Sequence, residues 1–288
     1  MELVSHNLEA REGSVITLAP LGDIQWTGIT EHLTLSRLRR HISQARARRA
    51  YYVGLGDYTD VMAPSNRRRY KSAGLYDSAA QALEEKLALL IDEVYDKVLA
   101  PTRGRWLGMV KGHHYFEFSD GSTSDTRLAR KLRSPYLGTS GIVCLAVRDP
   151  HTGRTGQVKV MLHHGNGGGS KAGAALNKIE NFYIDWDVDV VVMGHTTKVG
   201  AAPVNRIVPI FNGARSDLWH RKVMLVNSGG WFRCYLNGAR QAGLPQGGYV
   251  EENMLRPASL GAPLIYIKPL WKRKAGLQVF SPEITVEL

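Results

Sequence analysis

Apolar runs of strand length recur along the first two-thirds of the chain, at residues 14–22 (SVITLAPLG), 51–56 (YYVGLG), 105–111 (RWLGMVK), 141–148 (GIVCLAVR), 157–163 (QVKVMLH) and 188–193 (VDVVVM). Between them the pattern switches to apolar residues three and four apart, which is the period of a helix with one buried face. These helical stretches fall at about 30–49, 78–99, 124–133 and 171–183. The clearest is SAAQALEEKLALLIDEVYDKVLA, which runs up to Pro101, a residue that cannot continue a helix. Strands alternating with helices predict an α/β fold with a largely buried sheet. From about residue 199 the pattern becomes one of short strands and turns: VNRIVPIFNG, KVMLVNSGG, APLIYIKPL and LQVFSPEITVEL. No linker marks a boundary, so this part is expected to complete a second sheet within a single domain over 1–288.

The polar residues that end these runs are of restricted type. The first run delivers Gly22-Asp23, the second Gly56-Asp57 with Tyr58, Thr59 and Asp60 after it, and the third Gly112-His113-His114. The fifth ends in His163-His164-Gly165 and the sixth in Gly194-His195. A single Asp or His beside glycine at a strand end is ordinary turn chemistry. Their repetition at successive strand ends, restricted to residues that bind divalent cations, points instead to a metal site at the carboxyl edge of a sheet.

Composition narrows the class further. The chain has 288 residues, 43% of them hydrophobic, and no low-complexity tract. No apolar stretch reaches the roughly 18 residues needed to cross a bilayer, so no membrane partner is expected. The N-terminus lacks a basic region followed by an apolar core, so a secretory signal is not expected and a cytoplasmic location is. The two cysteines, Cys144 and Cys234, are read as buried thiols in a reducing compartment. The net charge is +11, concentrated in Arg37, Arg39, Arg40, Arg46, Arg48 and Arg49, in Arg67–Arg69, in Arg127–Arg133 and in Lys272–Lys274. Such a surface attracts polyanions, DNA or RNA foremost, and is equally compatible with a solvated face that has no dedicated partner.

The series GD (22–23), GDYTD (56–60), GHH (112–114), HHG (163–165) and GHTT (194–197) resembles the motifs of the calcineurin-like metallophosphoesterases, over residues about 15–200. The stretch HGNGGGSKAGAALNKIE further resembles members encoded by phages and prophages, which would place the protein in the cytoplasm of a bacterial host cell. The resemblance implies two facing mixed β-sheets flanked by helices, a four-layer αββα sandwich. It also implies a two-metal centre, most readily Mn²⁺, with Fe, Zn and Ni as alternatives. By position Asp57 would bridge the metals, Asp23 would ligate the first, and His164 and His195 the second. His114 would stand beside the leaving group as a proton donor. Two cations that clamp a phosphate and activate the attacking water suit ester hydrolysis, and a nearby imidazole suits protonation of the departing oxygen.

This sequence departs from the family's pattern in three places. Gln25 and Thr197 stand where the family has histidines of the first site, and neutral oxygens hold a transition metal more weakly than imidazole. His113 stands where the family has an amide, adding a nitrogen donor to the second site. One strong site (Asp57, His113, His164, His195) and one weak site (Asp23, with Gln25 and Thr197) are therefore expected. Three readings follow: a second metal arriving with substrate, replacement of the lost ligand by Gln25 or His32, or loss of hydrolysis with retained phosphate or nucleic-acid binding.

The remaining polar features are read as supporting groups. Asp60 is expected to hydrogen-bond a ligand or the acid, and His163 to point away from the site unless the register shifts by one. Gly167–Gly169 reads as a loop at the site edge, and Trp26, Tyr58 and Tyr115 as packing residues or cleft walls. The expected activity is hydrolysis of phosphate esters of a nucleic acid or nucleotide. The alternatives are a phosphomonoesterase for proteins or small molecules and a non-catalytic binding module.

Overall fold

In the computed structural model, which describes residues 1–28, 33–73, 77–167, 171, 173–241 and 243–288, the apolar runs become two sheets. The strands are β1 (Glu2–Glu9), β2 (Ile16–Leu21), β3 (Tyr51–Gly54), β4 (Trp106–Met109), β5 (Ser140–Arg148), β6 (Thr155–His163), β7 (Val190–Met193), β8 (Gly200–Asn212) and β9 (Arg215–Asn227). They are followed by β10 (Arg240–Gln241), β11 (Leu244–Pro245), β12 (Leu264–Lys268), β13 (Trp271–Lys274), β14 (Leu277–Phe280) and β15 (Glu283–Glu287). The helices are α1 (Leu35–Ala47), α2 (Pro64–Ala73), α3 (Asp77–Val94), α4 (Ser124–Leu132), α5 (Ala174–Tyr183) and the single turn α6 (Tyr249–Glu252).

One sheet has the order β15-β12-β2-β3-β4 and the other β1-β5-β6-β7-β9-β8. Both are mixed: β2, β3 and β4 are parallel to one another, as are β6, β7 and β9, while β12, β15, β5 and β8 pair antiparallel. Strand alternation sends side chains to opposite faces, and both faces of the central strands β2, β3, β4 and β7 are covered. Leu18, Val53 and Leu107 meet Val143, Leu145, Val160, Leu162, Val190 and Val226 between the sheets. Ala19, Tyr52 and Trp106 face outward onto Leu38, Ile42, Ile91 and Leu128 of the helices. Met161, Val191 and Leu225 face α5 through Ala175 and Ile179. Helix, sheet, sheet and helix are thus stacked as four layers. Each fully buried aliphatic side chain in them contributes about 1.5–3 kcal/mol.

Local sequence explains the helices. In α1 the buried residues Leu38, His41, Ile42 and Ala45 are three and four apart, which aligns them on one stripe. α4 begins with a capping box between Thr123 and Thr126 and ends at Arg133 in the left-handed conformation. α3 continues through a π-helical turn at Tyr95–Leu99 and a 3-10 turn at Ala100–Thr102, where Pro101 stops it. No described helix is long and apolar enough to cross a membrane.

The structure differs from the sequence reading in several places, among them the helix α2, which the apolar pattern did not mark. β1 pairs parallel with β5 along its whole length, although its polar alternation did not mark it as a strand. The strands after residue 199 do not complete one sheet: β8 and β9 join one, β12 and β15 the other, and β13 with β14 form a separate ribbon. β8 and β9 are also long, with thirteen paired positions. Cys144 and Cys234 are free but only half-buried.

Candidate metal centre

The carboxyl ends of the parallel strands in both sheets meet at one edge, and backbone hydrogen bonds tie them together. The Asp23 N–H donates to the Gly56 carbonyl at 3.0 Å, and the Gly194 N–H to the His164 carbonyl at 3.1 Å. The chain ends pack so closely that two glycines are obligatory. A Cβ on Gly112 would lie 2.1 Å from Asp57 Oδ1, and one on Gly56 would lie 2.4 Å from Gly112. Gly56 also has a φ of 88°, a region that favours glycine. Asp23, Asp57 and His195 themselves have left-handed backbones, with φ of 49°, 51° and 65°. Such strain persists only where surrounding structure enforces it, and it clusters at functional sites.

The Asp57 carboxylate is divided between two tasks. Its Oδ1 accepts the N–H groups of His113 and His114 at 2.5 and 2.9 Å. Its Oδ2 lies 3.2 Å from His164 Nε2, with both side chains almost fully buried. His164 Nδ1 faces the Leu55 carbonyl at 2.5 Å, an orienting contact that aims Nε2 at the site. Asp23 Oδ2 accepts the His195 N–H at 2.9 Å.

Two donor groups share His164. The ligand atoms of His113, His164 and His195 lie within 4.8 Å of one another, and so do those of Asp23, Asp57 and His164. His113 Nδ1 and His195 Nδ1 approach to 3.3 Å. Asp23 Oδ1 is buried without a hydrogen-bond partner, and the Asp57 carboxylate is what His164 Nε2 faces. A buried carboxylate oxygen left unsatisfied among converging donors is what a divalent cation would complete. The residues present therefore fit a metal.

Their ionisation follows from burial and from each other. Burial opposes a charge on His164, but the Asp57 carboxylate beside it outweighs burial and raises its pKa to about 9. Burial, with a further contribution from the His164 charge, lowers His195 to about 4 and also lowers His113, which favours neutral imidazoles with one ring nitrogen free to donate. Burial raises Asp23 to about 7 against the attraction of His164.

The structure places the other expected residues as follows. Gln25 and Thr197 have left-handed backbones as well, at φ 51° and 49°. The Gln25 N–H donates to the Asp57 carbonyl at 2.9 Å, and Gln25 lines a cleft of about 430 Å³ together with His114 and Asp60. The Thr197 carbonyl accepts the Ser259 N–H at 2.7 Å. His114 Nδ1 and Asp60 Oδ1 are 2.6 Å apart. Burial opposes protonation of His114, and Asp60 outweighs it and raises the pKa. His163 turns away toward Phe182, at 5.1 Å between rings, and its Nδ1 accepts the Gly165 N–H. Trp26 and Tyr58 are fully buried core residues, so they do not wall the cleft. Tyr115 lies beneath the Arg67 guanidinium at 3.9 Å. His32, Gly168, Gly169 and Ser170 lie outside the described residues.

Three supporting residues carried no recognisable signal in the sequence. Asp125, buried in the first turn of α4, accepts the Gly112 N–H at 2.9 Å, and burial raises it to about 6. Arg67 Nη1 donates to the carbonyls of Met62, His113 and Tyr115 at 2.6–2.9 Å, clamping the loop that carries His113 and His114. Asn227 Nδ2 donates to Thr196 Oγ1 at 2.8 Å and supports the His195 loop.

No protein-family model matches this chain, and no curated protein does. Among solved structures it is similar to a conserved uncharacterized protein, a predicted phosphoesterase, from Streptococcus pneumoniae TIGR4. The identity is 9% and the TM-score 0.32, over 95% of this chain and 99% of that one. A likeness at that level says nothing about function.

Proposed function

We propose that the chain is a metal-dependent phosphoesterase acting on phosphate esters of a nucleic acid or nucleotide. The observation that carries this reading is the convergence of Asp23, Asp57, His113, His164 and His195 at the strand ends where Asp60 and His114 are paired. A divalent cation held by these groups would polarise the phosphoryl oxygens and activate water. Mn²⁺ suits the mixed nitrogen and carboxylate donors, with Fe, Zn and Ni as alternatives.

The protein's own residues divide the remaining work. The two N–H groups that grip Asp57 Oδ1 hold this carboxylate in one orientation, leaving Oδ2 for a cation. Asp60 occupies His114 Nδ1, so the proton that His114 can deliver is on Nε2. As the bond from water oxygen to phosphorus forms and the bond to the leaving oxygen breaks, His114 hands that proton to the leaving oxygen. The net charge of +11 supports an anionic polymer as substrate. Some of the named arginines serve the fold instead: Arg67 clamps its loop, Arg127 pairs with Asp120, and Arg39 binds the Lys97 carbonyl.

The test is a titration of Mn²⁺ or Ni²⁺ against a chromogenic phosphodiester and labelled single- and double-stranded DNA. Turnover abolished by Asp57→Asn and reduced on the order of 10²–10⁴-fold by His114→Ala supports the reading. DNA that binds with steep salt dependence but is never cut with any metal makes the chain a binding module. Turnover of monoesters alone, without DNA binding, removes the nucleic acid from the proposal.

A further inference from the structure

The cleft beside His114 is bounded on its far side by a part of the chain in which the sequence showed no motif. After β9 the chain runs through residues 228–262 back across the strand ends. Three backbone hydrogen bonds hold it there: Trp231 N–H to the Asp23 carbonyl at 3.3 Å, Ser259 N–H to the Thr197 carbonyl at 2.7 Å, and Thr34 N–H to the Trp231 carbonyl at 2.7 Å. Leu33 and Phe232 pair as an isolated bridge, which sets their side chains on the cleft wall. Cys234 and Val250 also line the cleft, as do Gln25, Asp60 and His114.

The chemistry of this cleft is uneven. Leu33, Phe232 and Val250 give it an apolar lining with an aromatic ring, and Gln25, Asp60 and His114 give it polar groups. Arg233 lines the same cleft, is exposed, and makes no hydrogen bond, ion pair or ring contact among the described residues. A guanidinium with no internal partner beside an aromatic ring suits a ligand that brings its own anion and a flat apolar body. The cleft, at about 430 Å³, falls in the usual range for small-molecule pockets, which runs from about 300 to 1,000 Å³.

His114 relates this cleft to the metal centre. The imidazole that protonates the departing oxygen must face the leaving group, and His114 lines the cleft while Asp23, Asp57, His113, His164 and His195 do not. We infer that the cleft lined by Phe232 and Arg233 is the leaving-group subsite, and that it selects phosphodiesters whose departing half is a nucleotide. The base lies against Phe232, and the departing half's own phosphate pairs with Arg233. This assignment rests on the phosphoesterase reading for its direction, but the binding of a nucleotide to the cleft does not require turnover.

Two measurements keep the assignment and that reading separable. The first uses the Mn²⁺-loaded protein and two diesters of thymidylate, a methyl ester and a dithymidine dinucleotide carrying a terminal phosphate. Arg233→Ala is expected to raise KM for the dinucleotide about tenfold or more, the size of a lost charge-assisted hydrogen bond, with kcat and the methyl ester little changed. Phe232→Ala is expected to raise it about fivefold or more through lost stacking. Arg233→Lys restores part of the loss, since the charge is kept. The second measures thymidine monophosphate binding to the metal-free protein by calorimetry, for wild type and Arg233→Ala. If no ester is turned over but Arg233→Ala still weakens nucleotide binding, the subsite stands and the phosphoesterase reading falls. If esters are turned over, and both variants bind nucleotide and cleave the dinucleotide as wild type does, the subsite assignment is overturned and the phosphoesterase reading stands.

Discussion

Gln25 and Thr197 share one backbone conformation, at φ 51° and 49°, each two residues beyond a candidate ligand, Asp23 and His195. A β-branched residue such as Thr is rarely found there, and the conformation costs on the order of 1–3 kcal/mol. Histidine tolerates the same region better. Both loops thus hold their backbones in a bent conformation without an imidazole on it. The double variant Gln25→His, Thr197→His is expected to fold at least as stably as wild type and to retain more metal after dialysis. Metal analysis of the two purified proteins checks this, and equal metal content in both would refute it.

Metal binding is expected to expel protons. His164, raised to about 9, carries a proton at neutral pH, and a cation must displace it. Asp23, raised to about 7, adds a further fraction of a proton, so calorimetry of Mn²⁺ binding at pH 7 in buffers of different ionisation enthalpy should report at least one proton released per metal. Affinity should strengthen from pH 6 toward pH 9 and level off above it. A heat of binding independent of the buffer would show that His164 takes no part.

Activity should fall on the alkaline side as His114 loses its proton. Asp60 raises that pKa, so the acid form persists to a higher pH than a free histidine allows. Asp60→Asn is expected to move the alkaline limb of the kcat profile to lower pH, with KM little affected. An unshifted limb would mean that some other group donates the proton.

A second titration acts on stability and lies away from the metal. Burial, and then the charge of Arg48, depresses His41 to about 4 in the folded chain, against about 6.5 when unfolded. Between those values the unfolded state binds the extra proton. The contribution of His41 is therefore full above about pH 6.5 and is lost as pH falls toward 4, by up to roughly 3 kcal/mol. Denaturant unfolding at pH 7.5 and pH 5 should show a smaller loss for His41→Leu than for wild type. Equal losses would show that His41 does not titrate in this range.

The strand-end residues were legible because each ends an uninterrupted apolar run and is joined to glycine. α1, α3 and α4 were legible through stripes of Leu, Ile and Val three and four apart. α2 was not: among its described positions none is buried, so it has no apolar stripe to read. β1 was hidden for a related reason, since it lies at a sheet edge and alternates exposed with half-exposed positions. Trp26 and Tyr58 follow Asp23 and Asp57 so closely that the sequence allowed either packing or a cleft wall, and the bridge between Trp26 and Thr59 folds that stretch inward into the core. Asp125 and Arg67 act on the site through backbone groups of residues far away in the chain, a relationship that spacing along the sequence cannot express.

The position of β2 also has a consequence in time. Its neighbours are β3, thirty-odd residues downstream, and β12, in which Ile265 pairs with Leu18. Because β2 leads into Asp23, the loop that presents this carboxylate lacks its outer neighbour until residues 264–268 have left the ribosome. Loss of residues 264–288 would remove β12 and β15 together. The centre would then be opened from a direction that contains none of its candidate ligands.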